Sequence, residues 1–458
     1  MTAISASRPG AVATTFRPDV STPAVLLKFD PNVMHHGGLG AIRSLGRMGV
    51  PVYAVQESAF APAGHSRYLR GQVLWQPGRL TPDRVRAGLL RLAELIGRPS
   101  VLIPTDDAGA IFLAEHADGL RGRFLFSDPP ASLPRQLAGK HSLHRLCDEV
   151  GFPTPRSAVP SSLPEASAVA AGYGYPVVGK LARPWQSSSG QHSTEIIGDG
   201  TALATAWRAT QASQAGLMLQ EYIPAAPGHD WFFHGYAGVS GAACQPACTG
   251  VKDRSYPAHA GLTSFGRCVP NEALREAAAG LLARIGYRGI ADLDLRLDDR
   301  DGQYKLLDFN PRLGAQFRLF TAAGGLDVVR AAYLDLTGQP AAAAAAGGAA
   351  GGAEPAAGRS FMVESYDPLS AISYWRSGEL RLGNWLAATR TVDETAWFAR
   401  DDLRPFELMC VRMGWRMISR PLAQRLRRPW RESAGSGPDP DRPSGPRLRP
   451  GRGQASRR

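Results

Sequence analysis

Between Gly289 and Arg312 the chain reads GIADLDLRLDDRDGQYKLLDFNPR, and its charged side chains recur at a spacing that could do chemistry. Asp292, Asp294, Arg296 and Asp298 alternate with Leu293, Leu295 and Leu297, the period of a half-buried strand. Further on, Leu306, Asp308, Asn310 and Arg312 share one face if the chain stays extended past Pro311. DDRDG between the two runs is turn chemistry, so they should form a hairpin. A turn centred near Asp301 sets Asp294 opposite Asp308 and Asp292 opposite Asn310. Carboxylates directly opposed on a sheet repel, at a cost of roughly 0.2–1 kcal/mol. A divalent cation between them reverses that sign, and Asn310 adds a neutral oxygen ligand. Hard oxygen donors in this number suit Mg²⁺, which keeps its other positions for water and phosphate. A solvated hairpin face with a shifted register competes with this reading.

Two more stretches favour a phosphate-bearing ligand. YPVVGKLARPWQSSSGQHSTEII runs a buried strand into Lys180 and then a loop of small residues. Backbone N–H groups of such a loop can cover phosphates, with Lys180 as a point charge beside them. The competing reading is a Ser/Gly surface hairpin. LMLQEYIPAAPGHDWFF delivers Gln220, Glu221, Tyr222 and Ile223 from an apolar strand into a Pro-rich bend, followed by His229 and Asp230. A strand edge can read the edge of an adenine, and a polar group a few residues on can reach ribose hydroxyls. The competing reading is an edge strand that ends in a turn. Lys140 lies on an amphipathic helix, RQLAGKHSLHRLCDEVG, and AGKHS there lacks the GxxxxGK[ST] spacing of a P-loop.

The elements that must position these residues follow βαβ grammar at first. PAVLLKFD is a strand, GGLGAIRSLGRMG opens a helix, VPVYAVQE is a second strand, and SVLIPTDDAGAIFLAEHADGL repeats the theme with an acidic turn. The expected fold class is therefore α/β, with a mostly parallel, Rossmann-like first domain over 23–130. A second domain spans 131–338, and QPAAAAAAGGAAGGAEPAAG at 339–358 reads as an Ala/Gly linker. A smaller folded region follows at 359–415. The tails at 1–22 and 416–458 are expected to be disordered.

Composition narrows the function classes. The net charge is +12, but twelve arginines against three acids from Arg416 onward put +9 of it in the C-terminal tail. That leaves a nearly neutral body, so nucleic acid is not the expected partner, beyond what a basic tail could touch. No window is long and apolar enough to span a membrane, and the N-terminus lacks the apolar core of a secretion signal, so the cytoplasm is the expected compartment. The five cysteines form no CxxC pair and no zinc spacing.

In order, the chain carries Lys140 on a helix, Lys180 closing a strand before a small-residue loop, QEYI, Asp294, and then Asp308-x-Asn310-x-Arg312. That order, over about 135–330, resembles the ATP-grasp superfamily, and the segment before it looks like the domain that usually precedes an ATP-grasp fold. Within the superfamily the chain is similar to carboxylate–amine ligases akin to D-aspartate ligase and the carbamoyl-phosphate synthase large subunit. The resemblance implies that Lys140 and Lys180 contact ATP phosphates. Gln220 and Glu221, with the backbone of Tyr222 and Ile223, would hold the adenine, and His229 or Asp230 the ribose. Asp294, Asp308 and Asn310 would hold Mg²⁺, with Mn²⁺ as an admissible substitute. Arg312 would face the transferred phosphoryl group, with Lys252 and Arg254 as further basic contacts. The implied substrates are a small carboxylate and an amine, with a homodimer left open. Two departures stand out: Asp308 occupies a place where Glu is usual, and the loop after Lys180 has a single glycine, Gly190.

Other classes compete. ATP-dependent carboxylation of the biotin-carboxylase or carbamoyl-phosphate-synthase kind is open within the superfamily. A non-catalytic nucleotide binder with an RNA-touching Arg-rich tail would not need two opposed carboxylates. Gly38 and Gly40 after a strand, with Glu57 ending the next, approach a dinucleotide fingerprint, but Arg43 stands where the third glycine belongs.

Overall fold

The run AVLL at Ala24–Leu27 (β1) is buried at every position, as a strand covered on both faces must be. It pairs in parallel with Val52–Gln56 (β2) on one side and Ser100–Pro104 (β4) on the other. Leu69–Leu74 (β3) and Phe124–Leu125 (β5) complete the parallel order β3-β2-β1-β4-β5. His36–Met48 (α1), Pro82–Ile96 (α2) and Asp107–Glu115 (α3) are the main helices between these strands. α1 ends at Gly49, whose φ of 98° suits glycine alone. The structure, a computed structural model, describes residues 17–182, 194–211, 216–239, 244–259, 261–321, 325–340, 357–426 and 447–450.

The dinucleotide-like pattern is used for packing. Gly40 lies against Phe317, where an added Cβ would come within 2.9 Å of the ring. Arg43 is almost fully buried and donates to Asp402 and to the carbonyl of Trp397, while Glu57 is paired with Lys28 at 2.6 Å.

After the first sheet come Leu133–Ala138 (α4) and Lys140–Val150 (α5). The sequence suggested one helix here. Gly139, at φ −80° and ψ 117°, breaks it in two and makes Lys140 the first residue of α5. A small four-stranded sheet follows, of Ser157–Ala158 (β6), Val177–Leu181 (β7), Thr194–Ile197 (β8) and Leu217–Glu221 (β9), in the order β6-β9-β7-β8. Leu163–Tyr173 (α6) and Gly200–Gln211 (α7) cover one face, where Ala166, Ala170, Val177, Ile197, Leu203 and Leu219 form a core of their own.

The large sheet comprises Asp230–Ala237 (β10), Ala247–Tyr256 (β11), Leu262–Cys268 (β12), Gly289–Asp298 (β13), Gln303–Asn310 (β14), Ser360–Met362 (β15) and Glu394–Thr395 (β16), in the order β14-β13-β10-β11-β12-β15-β16. Glu272–Arg284 (α8) and Val328–Leu336 (α9) pack against it. The C-terminal region adds Asp367–Arg376 (α10), Leu382–Arg390 (α11) and Arg404–Leu426 (α12). Its strand β15 pairs with β12, and its Trp397 is fully buried in one core with Leu39 of α1 and Phe317. The region after the Ala/Gly stretch thus shares its core with the rest of the chain.

The tails differ from expectation. Residues 17–22 are anchored, because Tyr333 donates to the carbonyl of Thr22 at 2.9 Å and Gln339 accepts from the Asp19 N–H at 2.7 Å. α12 runs on to Leu426, and Arg447–Pro450 (β17) pairs antiparallel with β3, whose open edge offers unpaired backbone groups. The rest of both tails and residues 341–356 lie outside the described residues, as does the loop carrying Gly190. Among the described residues no helix is long and apolar enough to cross a membrane.

Candidate active site

β13 and β14 pair in the register expected: Asp294 opposes Asp308, and Asp292 opposes Asn310. A bulge after Asp294 shifts the pairing on the turn side, so Leu295 meets Leu306. The opposed carboxylates open onto a cleft of about 510 Å³ between the small sheet and the large one. Val178, Lys180, Thr194, Ile196 and Gln220 line it from one side, and Asp230, Lys252, Asp294, Arg296 and Asp308 from the other.

Each acid has its own lysine. Lys252 Nζ, from β11, lies 3.1 Å from Asp294 Oδ1, and Lys140, at the start of α5, binds Asp308 Oδ1. Burial would raise the Asp308 pKa, but Lys140 and Lys180 outweigh it and hold it below the usual carboxylate value. Lys180 donates to the Leu307 carbonyl at 3.1 Å; burial, helped by neighbouring Lys140, brings its pKa down to about 8. Burial alone would lower Lys252, but Asp294 and Asp230 raise it.

Asn310 ends β14, and Pro311 then turns the chain. Arg312 folds back so that its Nη2 donates to Asn310 Oδ1 at 2.8 Å and its Nη1 to Asp292 Oδ2 at 3.1 Å. Asn310 Nδ2 donates to the same Asp292 oxygen at 3.2 Å. Burial raises the Asp292 pKa although Arg312 opposes it. Gly314 closes this corner, since a Cβ there would lie 2.0 Å from His234 Cε1 and 2.7 Å from Asp292 Cγ. Arg312 Nε lies 3.3 Å from Asp107 Oδ1, at the first residue of α3.

On the small-sheet side, Gln220 Nε2 is 3.0 Å from His144 Nε2. The Glu221 carboxylate is clamped by Arg156, at 3.0 Å to Nε, and Arg300, at 2.5 Å to Nη1. Tyr222 and Ile223 line the cleft beside it, and Arg296 holds the Ile223 carbonyl at 2.9 Å and Asp230 at 2.6 Å.

Two sequence candidates lie elsewhere. Arg254 is buried, and its guanidinium grips Asp367 at 2.8 and 3.0 Å on the side of α10, away from the cleft lining. Strand alternation alone would keep it on the face of Lys252, but a bulge at Asp253 turns it to the other face, where the C-terminal region supplies a buried carboxylate that sequence alone does not place there. His229 is also outside the lining, with Nε2 3.5 Å from Asp299. The remaining candidates line one cleft, save Arg312, which reaches it through Asn310. Reading the sequence missed Asp107, whose only signal was an acidic pair before a helix, and Tyr256 and His259 from the β11–β12 turn.

Among the described residues no three His, Cys, Asp or Glu side chains converge as a metal cluster. The donor set here is two carboxylates and an amide, which fits an oxygen-loving ion that keeps water and phosphate ligands. Each carboxylate gives Oδ1 to a lysine, and among the described residues no hydrogen bond is made to either Oδ2.

A small sheet and a large one closing on a cleft lined by lysines and opposed acids make the fold that of the ATP-grasp class. No family model matches the chain. It is 24% identical over 332 residues to a D-aspartate ligase of Enterococcus faecium, covering 67% of this chain and 74% of that one. The fold is similar to a biotin carboxylase complex with a βγ-ATP ligand from Campylobacter jejuni (TM-score 0.52, 15% identity, covering 69% of this chain and 71% of the other). It is also similar to an ADP complex of N5-carboxyaminoimidazole synthetase from Staphylococcus aureus (TM-score 0.52, 12% identity, covering 70% and 79%).

Proposed function

We propose that this protein is an ATP- and Mg²⁺-dependent ligase that activates a carboxylate as an acyl phosphate and joins it to an amine. The observation that carries this reading is the opposed pair Asp294 and Asp308, each on its own lysine in one two-sided cleft. A carboxylate cannot acylate an amine directly, because its leaving oxygen is too poor. A carboxylate oxygen therefore attacks the γ-phosphorus, the bond to the bridging oxygen breaks, and ADP departs with the electron pair. The amine next attacks the acyl carbon, the carbon–oxygen bond to phosphate breaks, and inorganic phosphate leaves.

Most of this work is positioning and charge neutralisation. Gln220 to Ile223 form the strand end against which an adenine would lie, and Asp230 is the nearer of the two ribose candidates. Lys140 and Lys180 would meet the phosphates, and an arriving polyphosphate would favour the charged form of Lys180, whose pKa burial brings down to about 8. Asp294, Asp308 and Asn310 would hold Mg²⁺, which would supply charge neutralisation for the phosphates. Arg312, its planar fork held by Asp292 and Asn310, would stand as a fixed positive charge beside the phosphoryl group.

The test is release of ADP and phosphate by the full chain with Mg-ATP, as D- and L-amino acids and small carboxylates are added. D-aspartate comes first because of the relative's name. Carboxylate-dependent ADP release is expected. Release of AMP, or no carboxylate dependence across the panel, overturns the reading. Turnover with bicarbonate as the sole activated acid hands the site to carboxylation chemistry.

A further inference from the structure

The carboxylates lining the cleft are not equally engaged. Glu221 is held by Arg156 and Arg300, Asp230 by Arg296, Asp294 by Lys252 and Asp308 by Lys140. Asp107 differs. It is ion-paired with Arg312 Nε at 3.3 Å, yet its buried Oδ1 makes no hydrogen bond, while the side chain is 38% exposed. The two Nη atoms of Arg312 are committed to Asp292, Asn310 and the Leu313 carbonyl. Asp107 is thus a carboxylate in the cleft whose hydrogen-bonding capacity is largely unspent.

Its placement is fixed from behind. The preceding Asp106 is buried and accepts from the N–H groups of Gly109 at 2.7 Å, Phe29 at 2.6 Å and Asp30 at 2.7 Å. Those three bonds lock the turn after β4, so Asp107 enters the cleft from a rigid corner of the first sheet. It arrives beside Arg312.

We propose that Asp107 receives the ammonium group of the amine substrate and takes the proton that this group must lose; the proposal rests on the ligase reading above. An ammonium has no lone pair and cannot attack an acyl phosphate. Asp107 accepts one proton, the freed lone pair forms the nitrogen–carbon bond, and the carbon–oxygen bond to phosphate breaks. Phosphate leaves with that electron pair, and the second proton on nitrogen passes to it or to water. An acceptor chosen this way is a primary amine that binds as a cation, not an alcohol or a thiol. It approaches from the side of the first sheet, while ATP occupies the side of the small sheet.

Hydroxylamine separates the two halves of the reaction, because it is largely uncharged at neutral pH and attacks acyl phosphates without needing a cation site. The full chain is supplied with Mg-ATP, the carboxylate found active by ADP release, and either hydroxylamine or one of three amines: ammonium chloride, ethanolamine or Nα-acetyl-lysine. In Asp107→Asn the ratio of amide to hydroxamate should fall about tenfold or more, with KM for the amine rising, since a charge-assisted contact is lost. Asp107→Glu should recover part of that ratio. An unchanged ratio in Asp107→Asn overturns the proposal, as does a wild-type protein that makes hydroxamate but accepts none of the amines. Failure of the wild type to form even hydroxamate brings down the ligase reading itself.

Discussion

Asp294 and Asp308 face each other across β13 and β14, and neither is paired with the other's lysine: Lys252 serves Asp294 at 3.1 Å, and Lys140 serves Asp308. The two lysines come from β11 and α5, so each acid is tied to a different part of the fold.

Asp308→Ala should reduce Mg²⁺-dependent ADP release at least about a hundredfold, because the donor set falls to one carboxylate and an amide. The same variant should lose the thermal stabilisation that Mg-ATP gives the wild type. Wild-type turnover in Asp308→Ala would remove it from the metal set.

Arg312→Lys should separate turnover from binding. Lysine keeps the charge but cannot reproduce the fork that spans Asp292 and Asn310. We expect kcat to fall about ten- to a thousandfold with ATP affinity within about threefold of wild type. Calorimetric titration with ATP and steady-state kinetics measure the two; weakened ATP affinity with unchanged kcat would mean that Arg312 acts only in binding.

Arg254→Ala should behave as a stability variant. Its guanidinium and the fully buried Asp367 form a pair that also receives Ser264 and Trp385, and deleting one partner strands the other charge. The expected cost is about 3–5 kcal/mol by chemical denaturation. Unaltered stability with weakened ATP binding would return Arg254 to the phosphate site.

Acid should weaken the fold through buried histidines. Burial lowers His36 from 6.5 to about 4, and burial with Lys180 and Lys140 nearby lowers His144 to about 3. The unfolded chain then binds more protons than the folded one below pH 6.5, so stability falls as pH drops from 6.5 toward 4 and 3. His36 accounts for about 3 kcal/mol of that loss. His36→Phe should flatten the slope between pH 6.5 and 4 in denaturant titrations; an unchanged slope would mean that His36 titrates normally.

The hairpin could be read in advance because side-chain period and turn chemistry are local, and they sufficed to set Asp294 against Asp308. The first sheet was legible for the same reason: AVLL and SVLIP are short apolar runs between helical patterns. What stayed hidden depends on distant parts of the chain. Nothing around Arg254 announces Asp367, far along in sequence, and nothing in PTDDAG says that its second acid meets Arg312. Gly139 showed the opposite limit, since a helical pattern on both sides masked one extended residue between α4 and α5.

β15 is the sixth strand of the large sheet, and Trp397 fills a core that also contains Leu39 and Phe317. Covalent continuity between residues 340 and 357 is therefore not what holds the C-terminal quarter in place. A protein nicked in that interval, or two co-expressed fragments divided there, should copurify as one particle. Expression of the first fragment alone would leave the β12 edge and an apolar socket bare, a recipe for inclusion bodies rather than for a minimal enzyme.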